Sequence, residues 1–97
     1  MHDTTICEAI AQKKRIQIHY KGGARIVEPH QVAYNERNNL ALSAYFVRGY
    51  SSSGSGVGWR EYLISDIQGV QILEENFSTR PDYNPNGTKF HSTVCAV

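Results

Sequence analysis

Three arginines stand close to a loop between two strand-like runs, and they are the residues best suited to binding chemistry in this chain. Arg48 and Arg60 bracket the loop, and Arg25 lies on an earlier strand-like run. A guanidinium keeps its charge at every relevant pH and offers a planar fork of donors to phosphate or carboxylate. Because hairpin pairing should bring Arg48 and Arg60 close together, the three arginines are candidate anion-binding residues. The alternative is that nearby acids neutralise them as structural ion pairs, namely Glu28, Glu61 and Asp66.

Aromatic and serine residues belong to the same loop. Tyr50 precedes it and Trp59 follows it. Aromatic rings beside arginines can stack on nucleic-acid bases, which contributes about 1–3 kcal/mol per base. The loop, residues 51–58, is almost entirely serine and glycine, so its backbone N–H groups, with Ser51 and Ser53, are candidate anion contacts. Each feature has a structural alternative: Trp59 caps the core, the Tyr50 hydroxyl pins the loop, and the loop is a flexible hairpin tip.

The residue spacing offers little support for other kinds of chemistry. The four histidines lack metal-ligand spacing with one another or with the two cysteines. No nucleophile, base and orienting group can be assembled from the sequence. The serine-glycine loop is not a Walker A loop, because no Gly-Lys-Ser/Thr follows it. We therefore expect a protein that is not an enzyme and that needs no metal or cofactor.

Ninety-seven residues are enough for one domain with one modest core. The formal net charge of +1 gives no global field that would attract nucleic acid, so any such contact needs a local cluster. No apolar run approaches membrane-spanning length, and the first residues lack the basic start and apolar stretch of a signal peptide. We expect a cytoplasmic protein in which Cys7 and Cys95 stay reduced as small buried thiols. A bridge joining the two cysteines is the alternative.

A short helix and five strands must position the candidate residues. The helix follows from a capping box, Thr5-x-x-Glu8, with Asp3 and Thr4 as alternative N-caps. The basic run at residues 13–15 is expected to form its solvated last turn. Apolar and polar residues then alternate, as in half-buried strands. Five such runs follow, at residues 16–20, 24–28 with a resumption at 31–34, 40–46, 59–64 and 68–73. Gly22-Gly23 predicts a tight hairpin turn, and Pro29, which has no N–H, should end or bulge the second strand.

Five short strands after one helix predict a mainly β fold, as a small barrel or a strongly bent sheet. From residue 78 the sequence becomes rich in turn residues and poor in apolar ones. We divide the chain into a helix-and-barrel unit, residues 1–77, and an extended C-terminal arm, residues 78–97, that ends in a short strand-like piece. The arm either folds back on the barrel or pairs with a neighbouring chain.

The order and spacing of these pieces resemble a WYL domain, a family named for a Trp-Tyr-Leu tripeptide. The resemblance covers roughly residues 5–77. It rests on Glu8-Ala9-Ile10, the strand ending at Tyr20, Arg25-Ile26-Val27-Glu28-Pro29, the strand from Leu40 to Tyr45, Trp59-Arg60-Glu61-Tyr62-Leu63-Ile64, and Ile67 ahead of Val70 and Phe77. The serine-glycine loop followed by Gly58-Trp59-Arg60, and the arm segment Arg80-Pro81-x-Tyr83-Asn84-Pro85, also resemble short stand-alone relatives of the family. The naming tripeptide falls on Leu40-Ala41-Leu42, and Ser65-Asp66 stands where the family usually has Asp-Arg.

The resemblance implies a small Sm-like (SH3-type) five-stranded barrel with a short N-terminal helix. It also implies a non-catalytic regulatory or binding role, because WYL domains commonly occur in bacterial transcription regulators and phage-defence factors that bind nucleic acid or nucleotide-like ligands. We expect a nucleic acid or nucleotide-like anion held by Arg25, Arg48 and Arg60, with Tyr50 and Trp59 stacking on it. The alternative is a protein-interaction or assembly module, as a homo-oligomer or with a partner protein, that uses the barrel edges and the arm.

Overall fold

The fold is mainly β, as the sequence predicts. The computed structural model describes residues 2–50, 56–83 and 90–97. Within these residues the elements are α1 (Asp3–Gln12), β1 (Lys14–Tyr20), β2 (Gly23–Asn35), β3 (Leu40–Gly49), β4 (Gly58–Leu63), β5 (Ile67–Asn76) and β6 (Phe90–Ala96). A short 3-10 turn, Ile64–Asp66, joins β4 to β5. The candidate residues Ser51 and Ser53 lie outside the described residues.

The strands form one antiparallel sheet in the order β4-β3-β2-β1-β5. The 13-residue strand β2 is the central strand of the sheet. Its first half pairs with β1 and its second half with β6, and β3 pairs along its other edge. In the described part of the chain, β4 and β5 end this order without pairing with each other. The sheet is therefore open, and the predicted closure into a barrel is not confirmed.

Strand β2 bends at a bulge centred on His30. Pro29 pairs with Ala44 and Gln31 pairs with Ser43, so His30 is an extra residue with no partner of its own on β3. A bulge of this kind bends a strand and redirects a side chain. The prediction of an end or bulge at Pro29 is confirmed as a bulge, and His30 becomes fully buried there.

The first hairpin turn is one residue earlier than predicted. Tyr20 pairs with Gly23, so the turn residues are Lys21 and Gly22, whose φ angles are 45° and 92°. Positive φ at both positions is characteristic of a two-residue hairpin turn. The prediction assigned Gly22-Gly23 to the turn because glycine readily adopts positive φ angles. Gly23 is instead the first residue of β2, where the absence of a side chain leaves room for the ring of Tyr50.

Helix α1 packs against the sheet through Ile6, Ala9 and Ile10, which are buried in the core. It begins at Asp3 and has no side-chain N-cap, so the predicted capping box does not form. The predicted basic last turn is also wrong. Lys13 caps the helix in a left-handed conformation, and β1 begins at the next residue.

The C-terminal arm folds back on its own chain. β6 pairs with the second half of β2, and a disulfide joins Cys7 of α1 to Cys95 of β6. The expectation of two reduced thiols is therefore wrong for this structure, and the alternative of a bridge is the one observed. The bridge fixes the last strand to the helix across 88 residues of sequence. The described part of the chain contains no helix that is long and apolar enough to cross a membrane.

Candidate functional site

One predicted arginine, Arg25, lies in a box of tyrosine rings that we call the Arg25 site. Its guanidinium carbon is 5.2 Å from the ring centre of Tyr20, 5.3 Å from that of Tyr50 and 5.8 Å from that of Tyr62. Tyr20 and Tyr62 also contact each other edge to face, with ring centres 4.9 Å apart. Rings at these distances attract a cation through their electron-rich faces.

The Arg25 guanidinium is buried without a neutralising acid among the described residues. The residue is only 8% exposed. Its Nε and Nη2 atoms are shielded from solvent and have no hydrogen-bond acceptor in the described part of the chain. None of the ion pairs formed by the described residues includes Arg25. A buried, unneutralised cation of this kind is rare in proteins, because native structures normally pair such groups.

Two glycines allow the chain to build the Arg25 site. Tyr50 is held by a hydrogen bond from its N–H to the carbonyl oxygen of Ala24, 2.9 Å long, and its ring lies against Gly23. A methyl group on Gly23 would overlap that ring. Gly49, which pairs with Arg25, has a φ of 117°, and a Cβ atom there would lie 2.6 Å from the same carbonyl oxygen. The close approach of β2 and β3 at this end therefore depends on both glycines.

Two of the tyrosines are part of the core, and the third is not. Tyr20 and Tyr62 are buried, whereas Tyr50 is 46% exposed. The hydroxyl of Tyr20 accepts a hydrogen bond from the N–H of Leu63 over 3.2 Å, which connects β1 to the end of β4. Burial raises the pKa of the Tyr62 hydroxyl, and a side-chain hydrogen bond with Arg25, together with the positive charge of Arg25, opposes that shift. Two walls of the site are therefore core residues, and the third wall, Tyr50, is partly exposed.

Arg48 points to the other face of the sheet. It pairs with Ile26, the neighbour of Arg25 on β2, and successive side chains in a strand point to opposite faces. Its Nη2 is 2.7 Å from Oε2 of Glu75, and this hydrogen bond lowers the pKa of the Glu75 carboxyl. Arg48 is thus paired by an acid, although Glu75 on β5 was not among the acids considered from the sequence.

Glu75 also forms an ion pair with Arg15, and Arg15 forms a second ion pair with Glu28. The face of the sheet opposite the Arg25 site, which we call the outer face, therefore carries a row of alternating charges. We call it the arginine-glutamate ladder, and its members are Arg48, Glu75, Arg15, Glu28 and Arg80. The carboxylate of Glu28 is 2% exposed; Arg15 bonds one of its oxygens at 2.9 Å, and Arg80 bonds the other at 2.7 Å. Glu28 therefore neutralises Arg15 and Arg80, and not Arg25 as the alternative from the sequence had it.

Arg60 forms hydrogen bonds to backbone carbonyl groups where the serine-glycine loop enters β4, a place that we call the loop mouth. Its Nη1 donates to the carbonyl oxygen of Trp59 over 3.0 Å, and its Nη2 donates to that of Gly56 over 2.8 Å. Its guanidinium also lies over the ring of Phe46, at 5.5 Å. Among the described residues Arg60 forms no ion pair with Glu61 or another acid. These bonds use the guanidinium to shape the start of β4.

Trp59 belongs to an aromatic cluster on the outer face, away from Tyr50. The members of this aromatic cluster are His30, Tyr45, Trp59, Phe77 and Tyr83. The indole N–H of Trp59 donates to Asp82 over 2.9 Å, which fixes the arm to β4. The hydroxyl of Tyr83 is buried and has no hydrogen-bond partner in the part of the chain that the structure describes, and burial raises its pKa.

His30 organises the aromatic cluster through both ring nitrogens. Its Nδ1 is 2.9 Å from the carbonyl oxygen of Glu28, and its Nε2 lies 3.1 Å from the backbone N–H of Arg80. The carbonyl can only accept and the N–H can only donate, so Nδ1 carries the proton and Nε2 accepts. This is the neutral imidazole, and burial lowers the pKa of His30 below its ordinary value of 6.5.

Of the seven residues predicted for the site, the five that the structure describes divide among several places. Arg25 and Tyr50 meet in the Arg25 site. Arg48 belongs to the ladder, Trp59 to the aromatic cluster, and Arg60 to the loop mouth. Sequence reasoning missed Tyr20 and Tyr62 as partners of Arg25. Tyr20 could have been identified from the sequence. It lies two residues after Ile18, which pairs with Arg25, so its side chain points to the same face of the sheet.

Within residues 2–50, 56–83 and 90–97, no group of three or more metal-ligating side chains is gathered. Comparison with family models, with curated proteins and with solved structures finds no match for this chain.

Proposed function

We propose that this protein is a non-catalytic binding module for an anionic ligand, of nucleic-acid or nucleotide type, with the Arg25 site as the place of binding. One observation carries the proposal. The guanidinium of Arg25 is buried among tyrosines, and no described residue supplies it with an acid or with an acceptor for Nε and Nη2. An anion entering beside Tyr50 would supply both the missing charge and the missing acceptors.

The energetics favour a ligand over a purely structural role. Burying an unpaired charge costs several kcal/mol, even after the surroundings relax. Each cation-π contact returns about 0.5–2 kcal/mol, so the contacts to Tyr20, Tyr50 and Tyr62 offset the cost in part. A phosphate or carboxylate bonded in the planar fork of the guanidinium would contribute charge-assisted hydrogen bonds, which are roughly twice as strong as neutral ones.

The exposed ring of Tyr50 favours a ligand with a planar group. It is one of the large hydrophobic side chains that the fold leaves exposed, and it flanks the guanidinium at 5.3 Å. A base stacked on such a ring would place its phosphate within reach of Arg25. The family resemblance, which is to domains that bind nucleic acid or nucleotide-like ligands, points to the same ligand class.

We also propose that the curled sheet is an incompletely closed Sm-like barrel of WYL type. Two features support this. The 3-10 turn at residues 64–66 joins the two end strands of the sheet directly. The hydrogen bond from Leu63 to the Tyr20 hydroxyl links the end of β4 to β1, which pairs with β5. Curvature of this kind would gather Tyr62 and Arg25 on one inner surface.

The test is binding at low salt by the wild type and by Arg25→Met. The probes are a fluorescein-labelled oligo-dT, followed by anisotropy, and adenosine monophosphate, followed by calorimetry. We expect saturable binding of at least one probe that weakens with added salt. Arg25→Met should weaken it about tenfold or more, because charge-assisted hydrogen bonds contribute about 1.5–3 kcal/mol.

The matched control is Arg37→Gln, which removes the same charge from an exposed turn at the far end of the β2-β3 hairpin. Arg37→Gln should bind both probes as the wild type does. Absence of binding to either probe, or equal losses in Arg25→Met and Arg37→Gln, would reject the Arg25 site as an anion site.

A second candidate function is assembly through the sheet edges. β4 and β5 each pair on one side only in the described part of the chain, so each presents an edge that another strand can extend. Light scattering over a range of concentrations tests self-assembly. A mass that rises to a defined oligomer would support it, whereas a monomer at every concentration would contradict it. The return of β6 onto β2 of the same chain argues against an arm that is shared between subunits.

A further inference from the structure

A separate cavity lies on the outer face, between β3, β4 and the arm. Its volume is about 280 Å³, and its lining includes Trp59, Glu61, Asp82, Tyr83 and Phe90. We propose that this cavity binds a small organic cation that carries an alkylammonium group. The proposal is independent of the anion site, since the cavity lining and the Arg25 site have no residue in common.

Aromatic rings form much of the cavity wall. The rings of Trp59 and Tyr83 have centres 6.0 Å apart with planes inclined by 30°, and Phe90, the first residue of β6, also lines the cavity. Tyr45 contacts Trp59 edge to face, with ring centres 5.6 Å apart. Aromatic walls of this kind recognise ammonium groups through the negative faces of the rings, and tryptophan is the most effective of them.

Two carboxylates add negative charge to the same cavity. Asp82 accepts the indole N–H of Trp59 through Oδ2, at 2.9 Å, and Glu61 accepts the side-chain N–H of Asn35 through Oε2, at 2.8 Å. Each acid is oriented by one oxygen and has a second oxygen for another donor. Neither forms an ion pair with a described lysine, arginine or histidine.

Among the described residues of the lining, Arg60 is the one cation, and it does not neutralise these acids. Arg60 donates to the carbonyl oxygens of Trp59 and Gly56. Glu61 and Asp82 outnumber it, so the described part of the lining has an excess of one negative charge. A cavity of about 280 Å³ is slightly smaller than the usual range for ligand pockets, about 300–1,000 Å³, and suits an ammonium head group better than a nucleotide.

The experiment follows the emission of Trp59, the single tryptophan of the chain, which forms part of the cavity wall. Choline is titrated at constant ionic strength, and 3,3-dimethylbutan-1-ol, its neutral isostere, is titrated in parallel. We expect a saturable change with choline and none with the alcohol. Glu61→Gln can still accept from Asn35 but lacks the charge, so it should weaken choline binding about tenfold, equivalent to about 1.4 kcal/mol.

The matched control is Glu8→Gln, which removes one negative charge from the exposed face of α1. It should leave the choline titration unchanged, and the circular dichroism of both variants should match the wild type. The proposal is overturned if choline and the alcohol give the same response, if neither gives a saturable change, or if Glu61→Gln and Glu8→Gln behave alike. A failure in any of these forms leaves the anion site untouched, because its variants and probes are different.

Discussion

The backbone N–H of Arg80 donates to Nε2 of the buried His30 over a distance of 3.1 Å, so the arm is anchored on an unprotonated imidazole nitrogen. The bulge that follows Pro29 places His30 at this position, and the carbonyl oxygen of Glu28 holds the Nδ1 proton. If Nε2 were protonated, it would become a donor and could no longer accept the hydrogen bond from the N–H of Arg80. The docking of residues 77–83 is therefore tied to the charge state of one buried ring.

The first prediction is a loss of stability in mild acid. Burial lowers the pKa of His30 in the folded state, whereas the unfolded chain retains a value near 6.5. Below that pH the unfolded state binds more protons than the folded state, so the free energy of unfolding falls. The full contribution is present above pH 6.5 and is lost as the pH falls toward the folded pKa. Thermal unfolding at a series of pH values measures it.

The variants for this test are His30→Asn and His19→Asn. His30→Asn should lower the melting temperature near neutral pH and remove the part of the pH dependence due to His30. His19 is exposed on β1, so His19→Asn should keep the wild-type profile. A profile that is the same in all three proteins would show that His30 is not the titrating group.

The second prediction concerns the disulfide between α1 and β6. The bridge joins Cys7 and Cys95, 88 residues apart, and a loop of about 100 residues corresponds to roughly 4–5 kcal/mol of stability. Urea unfolding with and without a reducing agent should show a loss of this size or somewhat less. The double variant Cys7→Ser, Cys95→Ser should be insensitive to reductant. Equal stability of the oxidised and reduced wild type would contradict the bridge.

The third prediction concerns Glu28 in the arginine-glutamate ladder. Its buried carboxylate bonds both Arg15 and Arg80, so Glu28→Gln leaves two guanidiniums with weaker partners. Because those arginines are partly exposed and can rehydrate, we expect a loss of about 2 kcal/mol, measured by urea unfolding. Glu74→Gln, an exposed change of the same charge on β5, should stay within about 0.5 kcal/mol of the wild type. Similar values for the two variants would refute a structural role for the ladder.

The fourth prediction separates the position of Tyr50 from the charge of Arg25. A methyl group on Gly23 would overlap the Tyr50 ring, so Gly23→Ala should displace that ring and weaken anion binding while Arg25 remains. Gly69→Ala is the matched control, since a Cβ atom there would make an ordinary contact of 3.7 Å with His19. Calorimetry with adenosine monophosphate distinguishes them. Wild-type affinity in Gly23→Ala would remove Tyr50 from the site.

The elements of the fold were largely predictable because they follow local rules. Alternating apolar residues identified the five strands of the predicted sheet, and the missing N–H of Pro29 identified the bulge. The arm was recognised, but its partner was not, because pairing between β6 and β2 is a tertiary choice. The turn was misplaced by one residue because the Gly22-Gly23 pair suits a turn locally, whereas the register, in which Tyr20 pairs with Gly23, puts Lys21 and Gly22 in the turn.

The site was predictable only where one hairpin builds it. Arg25 and Tyr50 meet across the paired strands β2 and β3, so their proximity follows from register. Tyr62 reaches Arg25 from β4, which is not adjacent to β2 in the sheet, and this requires the curvature of the whole sheet. The pairing of Arg48 with Glu75 likewise joins β3 to β5 across two intervening strands. Local spacing contains no signal for such contacts.

The most direct test of the central claim is the thermal stability of Arg25→Met, with and without an anion. If Arg25 awaits a ligand, the ligand-free variant should be as stable as the wild type or more stable, because an unpaired buried charge has been removed. Adenosine monophosphate should then raise the melting temperature of the wild type and of Arg37→Gln, but not that of Arg25→Met. The contrary result is a strongly destabilised Arg25→Met together with a wild type that adenosine monophosphate and oligo-dT leave unchanged, which would make Arg25 a structural residue held by its tyrosines alone.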